Sequence, residues 1–176
     1  MHSENLFTNH SQIENNAPLA DKLRPKNLED FFGQESILNE NSLLRSAILN
    51  DKIGNYIFSG PPGVGKTTLI EIISFNTRSK LIKLNAVFSS VKELRNEIAN
   101  AKERLINSKR KTILFIDEVH RFTSVQQDAL LPSIENGTIT FIGATTENPS
   151  LVLIKRLLVG LVFLHYFLWQ KMICRK

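Results

Sequence analysis

The sequence predicts an α/β fold in which a parallel sheet carries helices on both faces. Segments with strand character alternate with segments of helical spacing between residues 55 and 142, and this alternation is typical of a parallel sheet. A glycine-rich stretch at residues 60–67 joins the first strand to the helix after it. A continuous apolar run at residues 113–116 ends in two acids, as expected for a strand buried on both faces.

The glycine-rich stretch lies between a predicted strand, residues 55–58, and a predicted helix, residues 67–74. It reads Gly-Pro-Pro-Gly-Val-Gly-Lys-Thr and matches the phosphate-loop pattern G-x-x-x-x-G-K-[ST]. Glycines adopt backbone angles that other residues avoid, so successive N–H groups can surround a phosphate, and the helix directs its positive dipole end at the same place. The alternative is a plain turn, but a turn does not require Gly-Lys-Thr at the start of a helix.

This loop predicts that the protein binds ATP and Mg²⁺. Lys66 brings a positive charge to the β- and γ-phosphates, and the Thr67 hydroxyl is the expected magnesium ligand. The predicted nucleotide-binding residues are Gly60, Pro61, Pro62, Gly63, Val64, Gly65, Lys66, Thr67 and Thr68.

Asp117 and Glu118 follow the apolar run at residues 113–116. Open α/β sheets place their ligands at the carboxyl ends of the strands, where these acids are expected. We assign Asp117 to the metal, together with Thr67, and Glu118 to the catalytic role of polarising an attacking water. Two acids at a strand end can also simply face solvent, but the phosphate loop earlier in the chain favours the catalytic interpretation.

The remaining elements follow from local patterns. Apolar residues at helical spacing between residues 37 and 49 predict helical structure before the first strand, and residues 80–85 alternate like a strand. Capping boxes at residues 90–93 and 123–126 open two further helices. A fourth strand is predicted at residues 138–142, after an Asn-Gly turn.

Residues 18–150 resemble a known family. Residues 18–34 are similar to the N-terminal segment of AAA+ ATPases of the clamp-loader and branch-migration group. Residues 113–122 read Ile-Leu-Phe-Ile-Asp-Glu-Val-His-Arg-Phe, and residues 139–150 read Ile-Thr-Phe-Ile-Gly-Ala-Thr-Thr-Glu-Asn-Pro-Ser. Both segments are very similar to the replication-associated recombination protein A family.

The resemblance implies a P-loop NTPase core of the AAA+ kind. It implies an ATP-hydrolysing, DNA-dependent ATPase that acts at stalled or gapped replication forks, in recombination and repair, and that forms homo-oligomers in full-length relatives. Thr146 would be a second catalytic residue, the polar sensor of the γ-phosphate or the attacking water. Residues 21–25 would lie against the adenine, with Gln34 and Ile37 near the base. The alternative is a truncated nucleotide-binding fragment without turnover.

The resemblance also divides the chain into three parts. We interpret residues 1–17 as a flexible arm, residues 18–150 as the AAA+ nucleotide-binding domain and residues 151–176 as an aberrant apolar and basic tail. The family continues after residue 150 with an arginine-finger segment, a helical lid and an oligomerisation domain, and we expect all three to be missing here.

The tail allows three interpretations. A membrane anchor is disfavoured because Lys155 and Arg156 interrupt it and the charge-free run at residues 157–170 is shorter than the roughly 20 residues of a span. An amphipathic surface helix is disfavoured because apolar residues occupy nearly every position rather than one face. We favour a frameshift after Ser150, because another reading frame permits the family's missing Ser-Arg segment. This hypothesis predicts a tail that does not pack on the core.

Charge and cysteine content limit the function classes. The chain has 22 Lys and Arg against 17 Asp and Glu, and the excess lies in the tail, so it indicates no DNA-binding face on the ATPase body. The single cysteine, Cys174, excludes an internal disulfide and predicts a reducing, cytoplasmic location. No membrane partner is predicted. His120 and Arg121 could contact DNA or a neighbouring subunit, or could start a helix in solvent.

Overall fold

The computed structural model describes residues 23–147 and 162–165. Two short helices, α1 (Glu35–Leu38) and α2 (Leu43–Leu49), precede the sheet. The strands and helices then alternate. They are β1 (Tyr56–Ser59), α3 (Lys66–Asn76), β2 (Lys80–Asn85), α4 (Val91–Ser108), β3 (Thr112–Asp117), a 3-10 turn (Val119–Arg121), α5 (Ser124–Glu135), β4 (Thr140–Thr145) and β5 (Val162–His165).

The five strands form one sheet in the order β2-β3-β4-β1-β5. All four neighbouring pairs are parallel. Strand β1 lies between β4 and β5, with Tyr56 opposite Ile142 on one side and Val162 on the other. The segment that follows β1 therefore begins at an interior strand of the sheet. The predicted parallel α/β fold is confirmed.

Both faces of the sheet are covered by apolar side chains. Successive residues of a strand point to opposite faces, and in β1 Phe58 joins one buried cluster while Ile57 joins the other. The first cluster includes the apolar side chains of α1, α2 and α3, and the second includes those of α4 and α5. Helices on both faces explain why all four residues of β1 are buried.

Side-chain caps fix where two helices begin. The Ser90 hydroxyl accepts a hydrogen bond from the Glu93 N–H at 3.1 Å, which starts α4. At α5 both halves of the predicted capping box are present between Thr123 and Gln126. Each cap satisfies an N–H group that has no partner within the helix.

Strand β4 is displaced from its predicted position. We expected residues 138–142, but the strand covers Thr140–Thr145. Asn136 Oδ1 accepts hydrogen bonds from the N–H and the hydroxyl of Thr138 at 2.9 and 2.6 Å, which keeps Thr138 in the turn. At the other end, pairing with β1 extends the strand to Thr145, opposite Ser59.

The fifth strand comes from the segment that we interpreted as a tail. Val162–His165 pairs with β1 over all four residues of that strand, and Leu164 packs against the cluster that contains Phe58. The backbone of these four residues thus joins the sheet and Leu164 packs on the core, which the interpretation as an unpacked tail did not predict. An apolar run is also what a strand buried on both faces requires. The other residues of the tail, and the predicted arm at residues 1–17, lie outside the described residues.

Within the described parts of the chain, no helix has the length and apolar character needed to cross a membrane.

Candidate functional site

Three strand ends meet at one edge of the sheet. The segment at residues 60–65 follows β1, while β3 ends at Asp117 and β4 at Thr145. In parallel sheets, ligands bind at this carboxyl edge. The strand ends border a cavity of about 360 Å³, lined by Arg24, Pro62, Gly63, Gly65, Lys66, Thr67, Thr68, Asp117, Glu118, Thr145 and Thr146.

The phosphate loop has the backbone that its glycines permit. Gly63 and Gly65 have φ angles of 79° and 89°, in the left-handed region. A Cβ atom on Gly65 would also lie 2.9 Å from Phe31 Cζ, because the phenylalanine ring packs on the loop. Gly65 is the N-cap of α3, so the first N–H groups of this helix open on the cavity, where they can bind an anion.

Lys66 spans the loop from within. Its Nζ donates hydrogen bonds to the carbonyl oxygens of Gly60 at 2.8 Å and Pro61 at 2.7 Å. Partial burial lowers the pKa of Lys66 from its ordinary value of 10.5, and the negative charge of Asp117 opposes this shift. The ammonium thus holds the loop closed on itself and faces the acid assigned to the metal.

The two acids stand in different environments. Asp117 Oδ1 accepts a hydrogen bond from the Glu118 N–H at 3.0 Å. Glu118 has a φ of 52° and starts the 3-10 turn, and its Oε2 lies 3.2 Å from Arg121 Nε. Both acids line the cavity with Lys66. Asp117 thus ends β3, whereas Glu118 lies in the turn that follows it, with its backbone in the left-handed region.

Thr67 and Asp117 line the same cavity. Mg²⁺ prefers oxygen ligands and usually keeps several waters, with one or two protein ligands besides the phosphates of its substrate. A hydroxyl and a carboxylate fit that requirement. The described residues contain no group of three or more His, Cys, Asp or Glu that could hold a metal by themselves.

The two threonines at the end of β4 differ in exposure. Thr145 is 2% exposed, and its carbonyl accepts a hydrogen bond from the Gly60 N–H at 3.1 Å. Thr146 is exposed and lines the cavity. The predicted sensor position therefore opens on the same space as Lys66 and Glu118.

The environment of His120 fits neither a contact with DNA or a neighbouring subunit nor a helix start in solvent. Its side chain is only 7% exposed and lies 3.1 Å, from Nδ1 to Oγ1, from Thr145. It is therefore available neither to an external partner nor to solvent. Arg121 stays accessible, with 59% of its side chain exposed. Because the contact joins positions 25 residues apart, local sequence pattern gave no signal for it.

Some predicted positions do not line the cavity. The carbonyls of Gly60 and Pro61 are occupied by Lys66, and Val64 is 3% exposed and belongs to the apolar core. Ile37, expected near the base, is also a core residue. Of residues 21–25, Arg24 lines the cavity, whereas residues 21 and 22 lie outside the described range.

Comparison with known proteins assigns this chain to a family. The family model described as the Holliday junction DNA helicase RuvB P-loop domain matches residues 23–162. The chain belongs to this family. Among solved structures, the RuvB P-loop domain fold recurs in the Thermotoga maritima RuvB Holliday junction branch migration motor. That structure has a TM-score of 0.62 and 30% sequence identity, and the match covers 81% of this chain and 48% of that one.

Similarity to curated proteins confirms the resemblance to the replication-associated recombination protein A family. The Haemophilus influenzae protein of that name is 53% identical over 141 residues, which are 80% of this chain and 31% of the relative. The ATPase WRNIP1 of Dictyostelium discoideum is 47% identical over 134 residues, which are 76% of this chain and 15% of the relative. The chain thus spans less than a third of the length of these relatives.

Proposed function

We propose that this chain binds ATP with Mg²⁺ and hydrolyses it. The observation that carries the proposal is that Lys66, Thr67, Asp117 and Glu118 line one cavity at the carboxyl edge of the sheet. Membership of a P-loop family implies nucleotide binding. The chemistry of these four side chains matches the three needs of phosphoryl transfer, which are phosphate binding, metal binding and orientation of water.

Each group has a definite task in this proposal. The N–H groups of the loop and of the first turn of α3 bind the phosphates, and Lys66 exchanges its two carbonyl partners for phosphate oxygens. Thr67 and Asp117 would hold Mg²⁺, which supplies charge stabilisation to the phosphate oxygens when bound. Glu118 accepts a proton from the attacking water, and Thr146 donates a hydrogen bond to the terminal phosphate or to that water. On this account residues 113–118 are the Walker B motif.

We further propose that hydrolysis is coupled to DNA in replication-associated recombination or repair in the cytoplasm, and that homo-oligomers form in full-length relatives. Support comes from the names of the relatives, one a Holliday junction DNA helicase domain and another a replication-associated recombination protein. Those names describe longer proteins, and this chain spans less than a third of the recombination protein.

A specific observation favours the second candidate, a nucleotide-binding fragment without turnover. The Glu118 carboxylate is paired with Arg121 at 3.2 Å, and this pairing competes with its role as a base. The two candidates agree on binding and differ in turnover, so separate experiments distinguish them.

Nucleotide binding is tested with Lys66→Ala. Removing the ammonium deletes charge-assisted hydrogen bonds to phosphate, each of which contributes about 1.5–3 kcal/mol, so affinity should fall about tenfold to a hundredfold. A fluorescent ATP analogue is titrated into both forms in the presence of Mg²⁺. Lys92→Ala, which changes an exposed lysine of α4, is the matched control and should bind normally. Equal affinities for the wild type and Lys66→Ala would refute the assignment of the loop.

Turnover is tested with Glu118→Gln. The amide cannot accept the proton of the attacking water, so hydrolysis should fall about 10²–10⁴-fold while nucleotide affinity is retained. Phosphate release is followed with and without DNA, and Glu103→Gln, an exposed acid of α4, serves as the control. Absence of turnover in the wild type, with binding intact, would select the second candidate.

A further inference from the structure

His120 occupies a buried position between the two halves of the candidate site. It lies in the 3-10 turn that begins after Glu118, and its side chain is 7% exposed. On one side its Nδ1 is 3.1 Å from Thr145 Oγ1. On the other side its Nε2 is 3.7 Å from Glu147 Oε1. The ring therefore contacts the residues immediately before and after Thr146.

The surroundings of the ring favour one tautomer of the imidazole. The Glu147 carboxylate lies 3.7 Å from Nε2, beyond hydrogen-bond distance, and its negative charge favours a proton on that nitrogen. Nδ1 is then an acceptor for the Thr145 hydroxyl. That hydroxyl has one proton, and Nδ1 at 3.1 Å is nearer than its other acceptor, the Glu147 carbonyl at 3.4 Å.

The same hydroxyl and its backbone extend the network to the phosphate loop. Thr145 Oγ1 accepts a hydrogen bond from the Glu147 N–H at 3.0 Å, which holds the chain around Thr146 in a tight turn. The Thr145 carbonyl accepts from the Gly60 N–H at 3.1 Å, at the start of the phosphate loop. One continuous set of hydrogen bonds thus joins the loop, the end of β4 and the turn that carries Glu118.

We propose that His120 is a positioning residue that fixes the separation of Glu118 and Thr146 around the terminal phosphate. The inference rests on the proposed function, because it assigns these two residues to the attacking water and the γ-phosphate. A terminal phosphate that contacts Thr146 acts on its chain neighbours Thr145 and Glu147, which both contact His120. His120 carries that effect to the turn of Glu118, so the position of the base responds to the terminal phosphate.

The hydroxyl–imidazole–carboxylate sequence does not make Thr145 a nucleophile. Thr145 is 2% exposed, and its hydroxyl already accepts the Glu147 N–H and contacts the ring. Although Thr145 borders the cavity, these two contacts occupy its hydroxyl. The arrangement holds two segments together instead.

The first test reads the ring directly. Nitrogen-15 correlation spectra of the imidazoles are recorded above the normal titration range of histidine, without nucleotide, with Mg-ADP and with a non-hydrolysable Mg-ATP analogue. His120 is assigned among the four histidines by its loss in His120→Asn. We expect the proton on Nε2 in every state and a shift of Nδ1 with the ATP analogue relative to ADP. A proton on Nδ1, or identical resonances with both nucleotides, would overturn the proposal.

The second test uses single-turnover hydrolysis with protein in excess of ATP. His120→Ala should slow the chemical step about tenfold to a hundredfold, as expected for a misplaced catalytic group, with nucleotide affinity within about twofold of the wild type. His120→Asn should recover part of the rate, because its amide oxygen can accept the Thr145 proton. Ser133→Ala, another buried polar position outside the network, is the control.

A double-mutant cycle separates positioning from general destabilisation. If Thr145 and His120 act as one unit, Thr145→Val should slow the reaction as His120→Ala does, and the double variant should be no slower than either. Additive losses, or a normal rate in His120→Ala, would overturn the proposal while leaving the Lys66 and Glu118 assignments intact. A wild type without turnover would refute hydrolysis itself, and the imidazole spectra would still decide the role of His120.

Discussion

At the scale of the residue, opposing influences act on the charge of Lys66. Burial disfavours the ammonium and lowers the pKa, whereas Asp117 favours it. The two carbonyl oxygens at 2.8 and 2.7 Å keep the charge solvated by the protein itself. A bound triphosphate adds a much stronger favourable interaction, so the pKa of Lys66 is higher in the complex than in the free protein.

This difference predicts a pH dependence of nucleotide affinity. The contribution of Lys66 is complete below its pKa in the free protein and is lost as the pH rises toward its pKa in the complex. Because the free pKa lies below the ordinary 10.5, affinity should start to weaken at a lower pH than an unperturbed lysine would cause. Affinity is measured across the alkaline range for the wild type and Lys66→Ala. The variant should show no such weakening, and parallel profiles for the two proteins would contradict the prediction.

The residues of the site differ in how far along the chain their interaction partners lie. The spacing of Gly63, Gly65, Lys66 and Thr67 is a local property that the phosphate chemistry imposes, and the structure brings them into one cavity with Asp117. The environment of His120 depends on β4, 25 residues later in the chain. No local pattern encodes that contact, and so its burial could not be predicted from the sequence.

At the scale of the element, Gly143 allows β4 to pack closely against its neighbours. It stands opposite Ile57 in the sheet. A Cβ atom at this position would lie 2.7 Å from Ile57 Cδ1 and 3.1 Å from Val119 Cγ1. Since Val119 begins the turn that contains His120, the absence of a side chain at Gly143 lets this turn approach the sheet.

Gly143→Ala should therefore destabilise the protein. Overpacking of a full core costs about 1–3 kcal/mol, and the free energy of unfolding from urea titration should fall by that amount. Gly54→Ala is the matched control, because a Cβ atom there would have no neighbour within 4 Å. A change as small in Gly143→Ala as in Gly54→Ala would mean that the side chains of Ile57 and Val119 move aside without cost.

Elements with a strong local signal were predicted well. Strand β2 covers Lys80–Asn85 as expected, and the predicted caps at Ser90 and Thr123 open α4 and α5. The end of β4 contains Gly143 and Ala144, which have little intrinsic preference for strands. These residues belong to a strand because β4 pairs with β1 and β3. β5 was missed because periodicity does not distinguish a short apolar strand from a segment of buried helix, and the apolar run was assigned to a shifted reading frame.

At the scale of the whole molecule, the sheet depends on residues on both sides of the predicted boundary at residue 150. Leu164 stands opposite Phe58 and packs against the core cluster. A tail produced by a shifted reading frame would have no reason to supply such a contact. The frameshift remains a hypothesis for residues 151–176 as a whole, and the DNA sequence beyond codon 150 tests it directly.

Leu164→Ala tests whether β5 belongs to the folded core. Truncation of a buried leucine costs about 2–5 kcal/mol, and for this half-buried side chain we expect a loss in the lower part of that range. The free energy of unfolding is compared with that of Leu49→Ala, whose leucine is 66% exposed and should change little. Equal effects of the two substitutions would support a tail that does not pack on the core.

The position of β1 in the sheet has a consequence for how the chain folds during synthesis. β1 is made first, yet its neighbours contain Ile142 and Val162, which leave the ribosome much later. β2 and β3 pair with each other and are complete well before either neighbour of β1. Non-local pairing of this kind slows folding, because a long loop must close before any contact compensates for its lost entropy. The strand that carries the phosphate loop is therefore the last part of the sheet to gain both its partners.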